Sequence, residues 1–113
     1  MTTIEGTWHF EDGTVKGAEL KALGPEATQL VVDSDGSFHG KAGCNNIMGK
    51  MTFEGDTVSF GPIASTKMMC EAKQMAFEDS YLAALGAVTN AEIDGDKLTL
   101  AATSGDVLKY KRG

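Results

Sequence analysis

Proline is almost missing from this chain, at two residues in 113, and cysteine is equally scarce. A proline-rich linker and a disulfide-dense secreted scaffold are therefore both excluded. No apolar run approaches the roughly 20 residues that a membrane-spanning helix needs. Basic side chains are outnumbered ten to sixteen, which leaves a net charge of −6 and a pI near 4.7. That balance argues against a nucleic-acid partner, whose phosphates call for a basic surface. Met1-Thr2-Thr3-Ile4-Glu5-Gly6 holds neither a basic nor an apolar leader region. As written, the chain is expected to be cytoplasmic; with a leader removed it would be an envelope, periplasmic or secreted protein. Glycine, by contrast, is abundant, at fourteen residues. With 42% hydrophobic and 23% charged residues the composition is globular, and the length suits a single domain over residues 1–113.

The glycines punctuate the chain as turns. Asp12-Gly13, Asp35-Gly36, Gly55-Asp56, Gly95-Asp96 and Gly105-Asp106 each separate short stretches of alternating apolar and polar residues. Such pairs suit hairpins because glycine accepts positive φ. Strands are expected at Thr7–Phe10, Gln29–Asp33, Ser37–Lys41, Lys50–Phe53, Thr57–Phe60, Ala91–Ile93, Lys97–Leu100 and Val107–Lys111. Glu71 to Leu85 breaks this rhythm. It lacks glycine, and Ala72, Met75, Leu82 and Leu85 recur at helical spacing beside a second stripe of Phe77, Tyr81, Ala84 and Val88. So wide an apolar arc predicts a well-covered helix, with Glu71 in its first turn and Gly86 as C-cap. The expected class is α+β: a curved, mostly antiparallel sheet, open and barrel-like, packed against one amphipathic helix.

Cys44 and Cys70 are the leading candidates for chemistry. Three readings stay open: a disulfide, which carries the most weight, two buried free thiols, or a nucleophile with a depressed pKa. The available bases, His9 and His39, sit on the polar faces of strands, the ordinary place for a surface histidine. No C-x₂₋₄-C or H-x₃₋₅-H spacing exists, so zinc is not expected. Met48, Met51, Met68, Met69 and Met75 offer soft copper(I) ligands in principle. Core filling is the favoured reading of these methionines, with one of Met68 and Met69 left exposed. Asn45 and Asn46 read as a tight corner, and Ser65 and Thr66 as backbone support ahead of the helix. No pair of carboxylates is spaced as acid and base, so neither catalytic residues nor a cofactor are assigned.

Gly43-Cys44-Asn45-Asn46, then Gly49, then Gly61-Pro62-Ile63-Ala64-Ser65-Thr66-Lys67-Met68-Met69-Cys70 resembles the signature of the META domain, the HslJ-like heat-shock family. The resemblance continues through Met75, Glu78, Tyr81, Leu82 and Leu85, then Asp94 to Leu100, and includes Gly6-Thr7-Trp8 at the start. It implies a small α+β domain and an association with heat shock, novobiocin resistance, or virulence and secretion. It brings no catalytic mechanism. The expected function is therefore a non-enzymatic binding or stress-related domain, with a protein or envelope component as partner and Cys44–Cys70 tying the central loops. The alternatives are a thiol-based redox sensor or cysteine-dependent enzyme using Cys44 or Cys70, and an interaction module presenting a methionine-rich apolar surface.

Overall fold

The computed structural model describes residues 4–21, 28–55, 57–66 and 68–113. Its elements are β1 (Gly6–Val15), β2 (Ala18–Lys21), β3 (Thr28–Val32), β4 (Ser37–Ala42), β5 (Asn46–Glu54), β6 (Thr57–Phe60), β7 (Ala64–Ser65), α1 (Ala72–Gly86), β8 (Val88–Asp94), β9 (Lys97–Ala102) and β10 (Val107–Arg112). Pairing is antiparallel and runs β1–β3–β4–β5–β6–β8–β9–β10, after which β10 returns to β1. The sheet is a closed barrel of eight strands, not the open one expected from sequence.

Closure depends on β1. Alternation over Thr7–Phe10 marks only its first half, because the strand runs to Val15 with an irregularity between Phe10 and Asp12. One edge pairs with β10 from Trp8 to Thr14, while the other takes β3 in its first half and β2 in its second. A bulge lets a strand bend far enough to serve partners on a curved wall. Among the described residues the thinnest seam is β6–β8, held by a single pair, Thr57 with Asn90.

Asp12-Gly13 is consequently not a turn. The β1–β2 turn falls at Lys16-Gly17, with φ of 53° and 79°, while Gly13 lies inside β1 because β10 crosses so closely. A side chain at Gly13 would drive into the Val107 carbonyl oxygen. The Asp35-Gly36, Gly95-Asp96 and Gly105-Asp106 turns stand where expected, each glycine at positive φ. Gly55 also has positive φ, but Asp56 lies outside the described residues. The short strands β2 and β7 carry too few alternating residues to be visible in sequence.

Inward-facing side chains fill the barrel, among them Trp8, Leu30, Phe38, Ile47, Leu98, Leu100 and Tyr110, all essentially inaccessible. An eight-stranded barrel is just wide enough to be packed solid this way. Helix α1 touches β4 and β6 on one side and β1 and β10 on the other, so it lies across one end of the barrel. Its inward face carries Phe77, Tyr81 and Ala84 of the second stripe together with Leu85 of the first. Ala72 and Met75 are exposed, because only the rim lies beneath α1. The first stripe is thus split: Leu82 and Leu85 pack against the barrel, and of the two stripes of the well-covered helix expected from sequence only Ala72 and Met75 are left bare. The caps also shift by a residue. Glu71 is the N-cap, its backbone N–H donating to Gln74 Oε1 at 3.3 Å, and Gly86 stays helical while Ala87 is the C-cap.

Where helix meets barrel, Phe10 gathers Phe77, Tyr81 and Tyr110 edge-on, with ring centroids 5.8, 5.3 and 5.5 Å away. The two tyrosine hydroxyls bond to each other at 2.6 Å with no exposure to solvent. Burial pushes both phenols above their usual pKa of 10. A raised phenol pKa stabilises the fold fully below the unfolded value and less as pH climbs past it. The urea midpoint should therefore drop steeply above pH 10. Replacing either Tyr81 or Tyr110 by Phe should cost about 1–3 kcal/mol, since the surviving hydroxyl is orphaned. The double Phe variant should lose less than the sum, and strict additivity in urea titrations would contradict the pairing.

Candidate functional site

The family-like motif residues converge on the rim that α1 covers. Between β4 and β5 the chain turns at Gly43-Cys44-Asn45, with the Ala42 N–H donating to the Asn45 carbonyl at 3.1 Å. Gly43 adopts a φ of 110° and sits against the Phe77 ring, whose Cδ1 would lie only 3.0 Å from an added Cβ. Conformation and crowding therefore both call for glycine there. Gly49 is constrained from two sides, by the Phe38 ring and the Pro62 carbonyl.

Into this corner α1 inserts Glu78, which is only 7% exposed. Its Oε1 accepts the N–H of Asn45 at 2.6 Å and of Cys44 at 3.3 Å, and its Oε2 accepts Asn45 Nδ2 at 2.7 Å. The other face of Asn45 holds the segment before the helix. Asn45 Oδ1 accepts the Thr66 hydroxyl at 3.0 Å and the Met68 N–H at 2.7 Å. Thr66 Oγ1 in turn accepts the Asn46 N–H at 3.1 Å, and the Thr66 N–H reaches the Asn46 carbonyl at 3.0 Å. Ser65 contributes through its backbone, paired with Ile47 in the β5–β7 ladder. One asparagine thus clamps helix, corner and pre-helical segment together, while Asn46 points outward.

Cys44 and Cys70 lie across the same junction at disulfide-bonding distance, Cα to Cα 6.3 Å, within the range that bridges occupy. The bond closes a separation of 26 residues. The chain-entropy relation assigns such a loop about 3.5 kcal/mol. Neither histidine joins the cluster. His39 faces out opposite Val31 and Met48, and His9 faces out between Gln29 and Lys111. His9 is half-buried, with Nδ1 shielded and unpartnered. Among the described residues no three His, Cys, Asp or Glu side chains gather as a metal site.

The methionines depart most from expectation. Among the described residues Met51 alone fills the core; Met48, Met68, Met69 and Met75 are 57%, 48%, 88% and 37% exposed. Exposure of one of Met68 and Met69 is as expected, but its neighbour is exposed too, and core filling also fails for Met48 and Met75, because the barrel is already packed by branched and aromatic side chains. The role of Glu78 was also beyond sequence reasoning, although one signal existed: a carboxylate on the arc shared by Phe77 and Tyr81 must be buried with donors around it.

The META domain family model matches residues 2–113. An NMR structure of a protein from Burkholderia xenovorans superposes with a TM-score of 0.79 at 24% identity, covering 96% of this chain and 82% of that one. A crystal structure of a DUF4847-family protein from Bacteroides vulgatus gives 0.69 at 17% identity, covering 96% and 93%. A further NMR structure gives 0.70 at 19% identity, covering 99% and 96%. At these identities the likeness carries the fold. No curated protein matches the chain in sequence.

Replacing Glu78 with Gln should destabilise the domain by about 1.5–3 kcal/mol, because the new amide donor would confront Asn45 Nδ2. Cys44→Ser or Cys70→Ser should lower the melting temperature of the oxidised protein and leave that of the fully reduced protein nearly unchanged. Equal losses in both conditions would show that the sulfurs act by packing and not as a bridge. Intact mass before and after reduction reports the bond directly.

Proposed function

The chain belongs to the META domain family, and on that premise we propose that it is a non-enzymatic binding module with a stress- or envelope-related role, its contact surface the methionine-rich rim beside α1. The exposure of Met68, Met69 and Met75 is the observation that carries this reading, while Met48, opposite His39, faces out on the barrel wall. Thioether side chains are flexible and polarizable, so a surface built from them adapts to apolar partners of varied shape. Met68 is steadied from behind, its N–H held by Asn45 and its segment anchored two residues on at Cys70. The clamp therefore presents apolar side chains from a rigid base, which limits the ordering cost of binding.

The chemistry-bearing groups of the motif support the same reading, because each is engaged with another. Both Glu78 oxygens accept N–H donors, Asn45 uses both ends of its amide, and the two sulfurs face each other. A cysteine nucleophile would first need the bridge reduced and would then need a base, while both histidines point away on the outer wall.

The test is a titration with a fluorescent, uncharged, leucine-rich amphipathic peptide. Wild-type protein should bind it, and Met68→Ser combined with Met69→Ser should weaken binding by about tenfold, the loss expected when two apolar contacts are removed. The melting temperature should hold, as both side chains are exposed. Unchanged affinity in the double variant would refute the assignment.

A further inference from the structure

Strand β8 leaves the end of α1 at Val88 and runs to Asp94, toward the mouth of the barrel away from the helix. Its two edges are unequally served. β9 pairs with it from Val88 to Asp94. On the other edge β6 begins at Thr57, whose partner is Asn90, so among the described residues no strand pairs with residues 91–94 on that side. Four residues of strand span roughly 14 Å. Alternate residues turn N–H and C=O to the same edge, so the stretch presents donors and acceptors at ladder spacing.

The side chains bear the same mark. Ala91 and Ile93 share the inner face with their partners Leu100 and Leu98, which are fully buried, yet remain half-buried themselves. Phe53, beside the β5–β6 turn, is 43% exposed, while Met51 two residues earlier is buried. On the outer face Asn90 and Glu92 stand opposite Ala101 and Thr99, and these four with Ala91 line an open depression of about 400 Å³.

Charge selects the occupant. Glu92 and Asp94 on β8 and Glu54 at the end of β5 are exposed, with no ion pair among the described residues. The cations of this wall lie on the far side of β8. Lys97 on β9 is turned to Glu11 at 2.9 Å, and Lys111 stands beyond it on β10. A second copy of the chain is a poor match. Two β8 edges paired antiparallel within the free stretch would bring Glu92 and Asp94 carboxylates directly opposite one another, which destabilises a ladder. Bare backbone, an apolar inner side and carboxylates outside instead suit a strand that alternates apolar and basic residues.

We propose that the free edge of β8 at residues 91–94 takes up an extended polypeptide segment of alternating basic and apolar residues as an added strand. Its basic side chains meet Glu92 and Asp94, one of them lying in the depression over Ala101 and Thr99, and its apolar side chains meet Ile93. This edge is separate from the methionine rim beside α1, so either assignment can fail alone.

Fluorescence anisotropy with a labelled peptide of alternating Lys and Val tests it. Wild-type protein should bind, and Glu92→Lys with Asp94→Lys should weaken binding at least about tenfold, whereas Glu19→Lys with Asp79→Lys, the same charge change away from the edge, should alter it by less than about twofold. Unchanged melting temperatures show that the variants fold. Backbone N-methylation of the peptide separates strand addition from charge alone. Methylating one alternate set of amides, the set that faces β8, should abolish binding, and methylating the other set should leave it nearly intact. Amide hydrogen exchange should slow within residues 91–94 when the peptide binds. Met68→Ser with Met69→Ser should leave this binding unchanged. Equal tolerance of the two methylated peptides, equal losses for the two charge-reversed pairs, no binding by wild type, or a wild-type dimer that Glu92→Lys with Asp94→Lys disperses would each overturn the proposal.

Discussion

A buried carboxylate with no ion pair among the described residues is the hinge of this structure. Glu78 enters the β4–β5 corner from α1 and receives two backbone N–H groups and one amide N–H. Burying a charge is costly, and charge-assisted hydrogen bonds are what offset that cost. The arrangement works only if the corner points its donors inward, which the left-handed conformation of Gly43 allows. It also works only if Asn45 directs Nδ2 at Glu78, and that orientation leaves Oδ1 for Thr66 and Met68. The helix position, the corner conformation and the path into α1 are therefore one solution and not three. Moving any of them would strand polar groups in an apolar surround.

That clamp explains why the helix needs so little cover. α1 presents one inward stripe to the barrel end, anchored by Phe77 and Tyr81 around Phe10, and leaves Ala72 and Met75 in solvent. Apolar burial on one side and Glu78 on the same arc together fix its axial rotation. Sequence periodicity shows two apolar stripes and cannot rank them, because rank depends on which surface lies beneath. Glu78 lies between the two stripes, three residues before Tyr81 and seven before Leu85, and its donors at the corner fix which arc faces in.

The same limit runs through the rest of the fold. The hairpins β3–β4, β5–β6 and β8–β9–β10 were legible because local alternation and a glycine turn act over a few residues. Barrel closure was not, since it rests on β10 meeting β1, residues at opposite ends of the chain. Gly13 shows why a glycine can mislead: Asp-Gly is a turn signal locally, yet here glycine is required by a neighbouring strand's carbonyl. At the candidate site, the motif residues Gly43, Cys44, Asn45, Asn46, Gly49, Ser65, Thr66, Met68, Cys70 and Glu78 could be named from sequence. Their mutual hydrogen bonds could not, because a side chain's partner is a property of the assembled fold. The exposure of the methionines was misjudged for a related reason, as a residue suited to filling gaps has none to fill in a packed barrel.

Clamp and disulfide secure one junction by different physics. Hydrogen bonds around Asn45 act on the folded state, selecting a single arrangement of helix and corner. A bridge between Cys44 and Cys70 acts chiefly on the unfolded chain, by removing conformations it could otherwise visit. The hydrogen bonds of Glu78, Asn45 and Thr66 at the rim involve neither sulfur. What oxidation changes is the population that is folded at a given temperature.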